Sequence, residues 1–237
     1  MILSPARARA QSSFAADESA SYVRRASHAG QWYTSDEAEL DRQLESWMRA
    51  ADGAAAPSRC RAVIAPHAGL SYSGRVAAFA YRRLSALVRP PPSADAPAPA
   101  VRRVFVLGPS HHVPLAGCAL SRASRCATPV GDLPVDAAAV AELAATWPRL
   151  FEFMSAATDE NEHSIEMHLP YLAKLAGAAR EGADARVAIV PVLCGQLSEA
   201  QQAAYGEVFA RYLDDDANFF VISSDFCHWG SRFRFQP

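Results

Sequence analysis

The chain has 237 residues, half of them hydrophobic and a fifth charged, with a formal net charge of −2 at pH 7. That length can bury a full core and the composition is globular, while the absence of a basic excess argues against a nucleic-acid partner. No apolar run approaches the roughly 18 residues of a membrane span, and five cysteines without a C-x-x-C pair suit a reducing, cytoplasmic or nuclear setting better than a disulfide framework.

In chain order, residues 1–22 read as a disordered tail. Arg7, Arg9 and several serines suggest a transit peptide, but Asp17 and Glu18 weaken that reading and no secretory apolar core is present. Thr34 and Glu37 have the spacing of a capping box ahead of Leu40, Leu44, Trp47 and Met48. "CRAVIAPH" (60–67) predicts a short buried strand. "SGRVAAFAYRRLSAL" (73–87) predicts a helix with Val76, Phe79, Ala80, Leu84 and Leu87 on its buried face. The Pro/Ala-rich stretch 90–100 reads as a surface insertion.

"VRRVFVLG" (101–108) is the next strand, and "DAAAVAELAATW" (136–147) the next helix. "EHSIEMHLPYLAKLAG" (162–177) reads as a helix bent by Pro170. "ARVAIVPVL" (185–193) is a strand, and "SEAQQAAYGEVFARYL" (198–213) a helix opened by a Ser198/Gln201 capping box. "NFFVISSDFCHWG" (218–230) is a strand with an abrupt end. This alternation predicts an α/β fold: one domain over 23–237, with a central mixed or parallel sheet flanked by helices.

Sheets of this kind bind ligands beyond the carboxyl ends of their strands. Three predicted strands end in histidine-bearing turns: His67 after "VIAP", His111 and His112 after "VLGPS", and Asp225, Cys227 and His228 after "VISS". A fourth ends at Cys194. Gly and Pro let the chain leave the sheet sharply, and imidazoles with a carboxylate or thiolate suit iron, copper or zinc. "EHSIEMHLPY" adds His163 and Glu166, three apart on one helix face, with Glu166 placed to orient a ligand histidine. Glu160 and Glu162 suit the positive end of that helix. His168 reads as packing and His28 as turn chemistry, while Trp32 and Tyr33 either wall the pocket or sit in the core. Adjacent on an extended chain, Cys227 and His228 point apart, which argues against a nucleophile–base pair.

The segments "ASHAGQWYT", "IAPHAGLSYSG", "LGPSHHVPL", "TDENEHSIEMHLPYL" and "SSDFCHWGSRFRF" resemble the Memo family (mediator of ErbB-driven cell motility), in family order from about Arg24 to Phe235. The resemblance implies a fold similar to the class III, non-haem-iron extradiol dioxygenases. It implies metal ligands at His67 and His111, with His228, Asp225 and Trp32 at the same pocket, beside His112 and Cys227. The family's third ligand is a Cys where the dioxygenases have a Glu. It lies well beyond the motif that ends near Phe235, so a site confined to these residues is expected to hold metal more weakly and part of the core is expected to lack cover. Cys194, Cys227 or Asp225 is the candidate substitute for that ligand.

Three functions compete. The first is a metal-binding protein (iron or copper) with a redox role and a part in motility signalling, taking a signalling protein or phosphopeptide as partner. The second is a ring-cleaving dioxygenase using His228 or His163 as acid or base. The third is a scaffold that binds peptides through a vestigial pocket.

Overall fold

The computed structural model describes residues 21–51, 60–88, 101–177 and 187–236. Of the tail expected over residues 1–22, residues 1–20 lie outside the described residues, as does the insertion expected at 90–100. Tyr22, assigned from sequence to the tail, opens strand β1 (Tyr22–Arg24).

Six strands form the main sheet, in the order β2 (Ala62–Pro66), β9 (Asn218–Ser224), β3 (Arg103–Pro109), β8 (Ala188–Cys194), β4 (Cys118–Leu120) and β7 (Phe151–Phe153). The first four run parallel, β4 is antiparallel to β8, and β7 is parallel to β4. A smaller sheet joins β1 to β5 (Ala123–Cys126) and β6 (Leu133–Pro134). The helices are α1 (Glu37–Ala50), α2 (Leu70–Val88), α3 (Ala137–Thr146), α4 (Ala156–Asn161), α5 (His163–Glu166), α6 (Leu169–Ala176) and α7 (Glu199–Leu213). The architecture is therefore a single mixed α/β domain, as the alternation predicts. Among the described residues no helix is long and apolar enough to cross a membrane.

Side-chain alternation along β3 sorts the helices onto two faces. Phe105 stacks on Phe220 and meets Phe209 and Tyr212 of α7. Val104, Val106 and Gly108 point the other way, toward α5: a Cβ on Gly108 would come within 2.5 Å of Ser164 Oγ. On that side α6 packs on α2, and α2 on α1, with Tyr81 stacked on Tyr171 at 4.4 Å.

Four local expectations need correction. The N-cap of α1 is Asp36, whose carboxylate accepts from Glu39 N, while Thr34 donates to the Glu39 side chain. Pro170 bends nothing: the helix breaks at Met167 and His168, and Pro170 lies in the first turn of α6, where its missing N–H costs no hydrogen bond. Helix α2 is rotated from the predicted face, burying Ala77, Ala78, Tyr81, Leu84 and Val88 and exposing Val76 and Phe79. Both stripes satisfy a 3.6-residue period, and the small Ala77 and Ala78 let the helix approach its neighbours closely. Strand β2 is an edge strand rather than a buried one, with Ile64 59% exposed. The Ser198/Gln201 capping box is present as expected.

Candidate metal centre

His67, Asp225 and His111 follow the carboxyl ends of β2, β9 and β3, three neighbouring parallel strands. Pro66 is in register with Ser224 and Leu107 with Ile222, so the chain leaves the sheet at nearly one level. His67 follows Pro66 directly, Asp225 follows Ser224, and His111 follows Pro109 and Ser110. Ser110 fixes that last turn: its N–H donates to Cys194 O at 2.8 Å and its hydroxyl to Val113 O at 2.6 Å. His163, the first residue of α5, completes the group from above the sheet. One nitrogen each of His67, His111 and His163 lies within 4.8 Å of the other two.

The proton positions follow from the partners. Ser223 Oγ donates to Ser164 O at 2.7 Å, so its hydrogen is spent and it must accept from Nδ1–H of His67, 2.7 Å away. Glu162 Oε1, 2.9 Å from His111 Nδ1, can only accept as a carboxylate. Hydrogen bonds from the His111 and Ser164 amides, at 2.8 and 3.0 Å, overcome its burial and hold its pKa below the usual value. Both histidines thus carry a proton at Nδ1, and a neutral ring at either position turns a bare Nε2 lone pair toward the centre.

Those lone pairs face acceptors. Nε2 of His67 is 2.9 Å from Asp225 Oδ1, and Nε2 of His111 is 3.5 Å from Asp225 Oδ2. With the proton of the neutral His67 ring on Nδ1, no hydrogen lies between its Nε2 and Asp225. Nε2 of His67, on a side chain 1% exposed, makes no hydrogen bond among the described residues. Burial lowers the His67 pKa against the opposing pull of Asp225, so the ring resists taking up a proton. Burial and the neighbouring His111 also lower His163, to about 4, leaving it neutral at pH 7. Imidazole nitrogens of His67, His111 and His163 converging beside the Asp225 carboxylate are a donor set that fits a cation.

Other expected residues stand around this core. The Trp32 ring is 4.4 Å from His163 and the His112 ring 5.9 Å. His228 reaches Asp225 Oδ1 at 3.1 Å but is 52% exposed and outside the three-histidine group. Cys227 is exposed, and neither it nor Cys194 belongs to that group. Asp225 precedes Phe226, whose φ of 54° is a left-handed conformation that a bulky residue rarely adopts.

Glu166, expected to orient a ligand histidine, reaches neither His67 nor His111. Its Oε2 accepts from Arg24 at 2.7 Å and meets His28 Nδ1 at 2.9 Å, and its Oε1 accepts from His28 N at 2.8 Å and Tyr33 OH at 2.9 Å. The break at Met167 leaves α5 only four residues long, so the face that Glu166 shares is set by β1 and the following turn. His28, read as turn chemistry, is held by this carboxylate with its ring 6.0 Å from His163. Glu162, Ser164 and Ser223 are the supports that sequence reading missed. Glu162 adjoins His163, yet the histidine it holds lies 51 positions earlier, and no local spacing reveals that. His168 is packing, as expected: it is buried, with Nδ1 2.6 Å from Tyr81 OH.

Comparison with known proteins agrees with the motifs. Residues 24–237 match the family described as Memo-like protein. The chain is 49% identical over 212 residues to Protein MEMO1 of Danio rerio and 48% identical over 213 residues to Protein MEMO1 of Homo sapiens, covering 90% of this chain and 65% of each relative. It is 47% identical over 216 residues to Protein memo-1 homolog of Caenorhabditis elegans, covering 91% of this chain and 55% of that relative. The chain thus spans about two thirds of the length of the vertebrate relatives. With its motifs, its sheet and its strand-end histidines in one frame, the chain belongs to the Memo-like protein family.

Proposed function

We propose that this chain is a metal-binding member of its family, holding iron or copper at His67 and His111. The observation that carries the reading is the pair of held Nδ1 protons, which on neutral rings leaves two Nε2 lone pairs facing one point beside Asp225 and His163. A bound ion would supply redox chemistry or Lewis acidity there. The protein's own part is to fix the two rings, keep His163 neutral beside them and border the pocket with Trp32. A cytoplasmic role in redox handling and motility signalling, with a signalling protein or phosphopeptide as partner, rests on the family resemblance.

Anaerobic loading with Fe(II) or Cu(I), desalting and metal analysis by plasma mass spectrometry test this. Wild type is expected to retain about one ion per chain, and His67→Ala or His111→Ala close to none. Protein that stays metal-free, with both variants indistinguishable from it, would overturn the reading. Glu162→Gln keeps both ligands but weakens the acceptor for His111 Nδ1–H, so affinity is expected to fall about 10- to 100-fold, measured by competition with a chromogenic chelator.

One observation favours the second reading, a dioxygenase-type oxidoreductase: the Asp225 carboxylate reaches both ligand nitrogens, at 2.9 and 3.5 Å, as in a two-histidine, one-carboxylate site. Oxygen uptake with catechols by iron-loaded protein, abolished by Asp225→Asn, is its expected signature. Metal retention without oxygen uptake leaves the first reading standing alone.

A further inference from the structure

Two of the free cysteines face each other across the main sheet. Cys118 of β4 and Cys194 of β8 are register partners in an antiparallel pair. The N–H of Gly195 donates to Gly117 O at 2.9 Å, one position out on both strands. That flanking bond makes Cys118 and Cys194 a non-hydrogen-bonded pair, the kind in which side chains approach closest. Such pairs place Cα atoms about 4.5 Å apart, inside the window of about 4.4–6.8 Å that a disulfide spans. The Tyr205 hydroxyl lies against Cys118, accepting its backbone N–H at 2.9 Å. Neither cysteine belongs to the histidine group, so the metal reading does not use them.

We propose that Cys118 and Cys194 form a dithiol site which hydrogen peroxide oxidises to a reversible cross-strand disulfide. The Cys118 thiolate attacks one peroxide oxygen. The O–O bond breaks, hydroxide leaves and takes up a proton as water, and Cys118 becomes a sulfenic acid. The Cys194 sulfur gives up its proton and attacks the Cys118 sulfur; the S–O bond breaks and a second water leaves. Two thiols and one peroxide thus yield one disulfide and two waters, with two electrons passing from sulfur to oxygen.

The two thiols have distinct roles. The neighbouring Cys194 side chain, working against burial, lowers the Cys118 thiol, while the same contact together with burial raises Cys194. Cys118 is therefore the attacking sulfur and Cys194 the resolving one. Cys118 is 1% exposed and Cys194 partly exposed, so an oxidant close to water in size is required, entering from the Cys194 side. Oxidation here would also be felt at the metal centre, because the Cys194 carbonyl anchors the Ser110 amide in the turn that carries His111.

The test uses the whole chain, reduced and free of added metal, so its outcome is independent of the metal reading. After mild peroxide treatment and alkylation, peptide mass spectrometry is expected to find a peptide linking Cys118 to Cys194, lighter by two hydrogens and released by dithiothreitol. Cys60 and Cys126 are expected to remain alkylatable. In Cys194→Val the resolving thiol is gone, so Cys118 is expected to be captured by dimedone as a sulfenic acid. Recovery of both Cys118 and Cys194 as alkylated thiols, under conditions that oxidise the exposed Cys227, would overturn the proposal.

Discussion

Replacing Arg24 with Met is expected to lower the unfolding free energy by about 3–5 kcal/mol, the cost of leaving buried charge without its partner. Arg24 is fully buried and spends every guanidinium nitrogen. Nε donates to Asp159 Oδ1 at 2.9 Å, Nη1 to Glu166 Oε2 at 2.7 Å, and Nη2 to the carbonyls of Asp159 and Glu162 at 2.8 and 2.9 Å. Met fills comparable space but donates nothing, so the carboxylates of Asp159 and Glu166 lose the cation they share. Equilibrium unfolding in urea measures the loss. Adding Glu166→Gln to the Met variant removes one stranded charge and is expected to restore part of it, which a double-mutant cycle would show as coupling.

The same network sets an acid limit. Burial alone would raise Glu166, but hydrogen bonds from His28 and the charge of Arg24 outweigh it and hold the carboxyl at about 2, against an ordinary value of 4.5. A carboxyl lowered by folding adds stability above its unfolded value, and that stability drains away as pH falls toward the folded one. Wild type is therefore expected to lose stability between pH 4.5 and about 2, with a flatter acid limb in Arg24→Met, where one cause of the depression is gone. Midpoints of urea unfolding across that range test it.

Arg24 also shows where sequence reading stops. The four long parallel strands were legible because each is an apolar run bounded by turn residues. The convergence of His67, His111 and Asp225 followed from strand ends alone, since parallel neighbours deliver their termini to one edge. Strands β1 and β4 to β7, of two to four residues, carry no period to read. The helix around Pro170 read as continuous because both pieces share one apolar pattern, and the break that frees His163 to face the centre is a tertiary event. The supports were hidden for a related reason. Glu162 holds a residue 51 positions away, Ser223 one 156 away, and Arg24 binds a carboxylate 142 away.

Those hidden supports meet at one residue, and this gives the second large expectation. The backbone of Ser164 joins both histidine supports: its carbonyl accepts the Ser223 hydroxyl that holds His67, and its N–H donates to the Glu162 carboxylate that holds His111. Gly108 lies directly beneath. A Cβ there would meet Ser164 Oγ at 2.5 Å, Ile165 Cγ1 at 2.8 Å and the Ser164 carbonyl carbon at 3.2 Å, all too close for α5 to keep its place. Gly108→Ala is therefore expected to cost about 3 kcal/mol, at the upper end of overpacking penalties because backbone is among the atoms struck. Lifting α5 separates Ser164 from Ser223 and from the Pro109 carbonyl that its hydroxyl holds at 2.8 Å, so both rings lose their fixed tautomers together. On the proposed metal reading, affinity for iron or copper is expected to fall about 100-fold although neither proposed ligand has changed. A control at Gly206, where an added Cβ meets nothing within 4 Å, is expected to leave affinity unchanged. If Gly108→Ala folds and binds iron or copper as wild type does, the two histidines are not held through Ser164, and the centre owes its geometry to the strand ends alone.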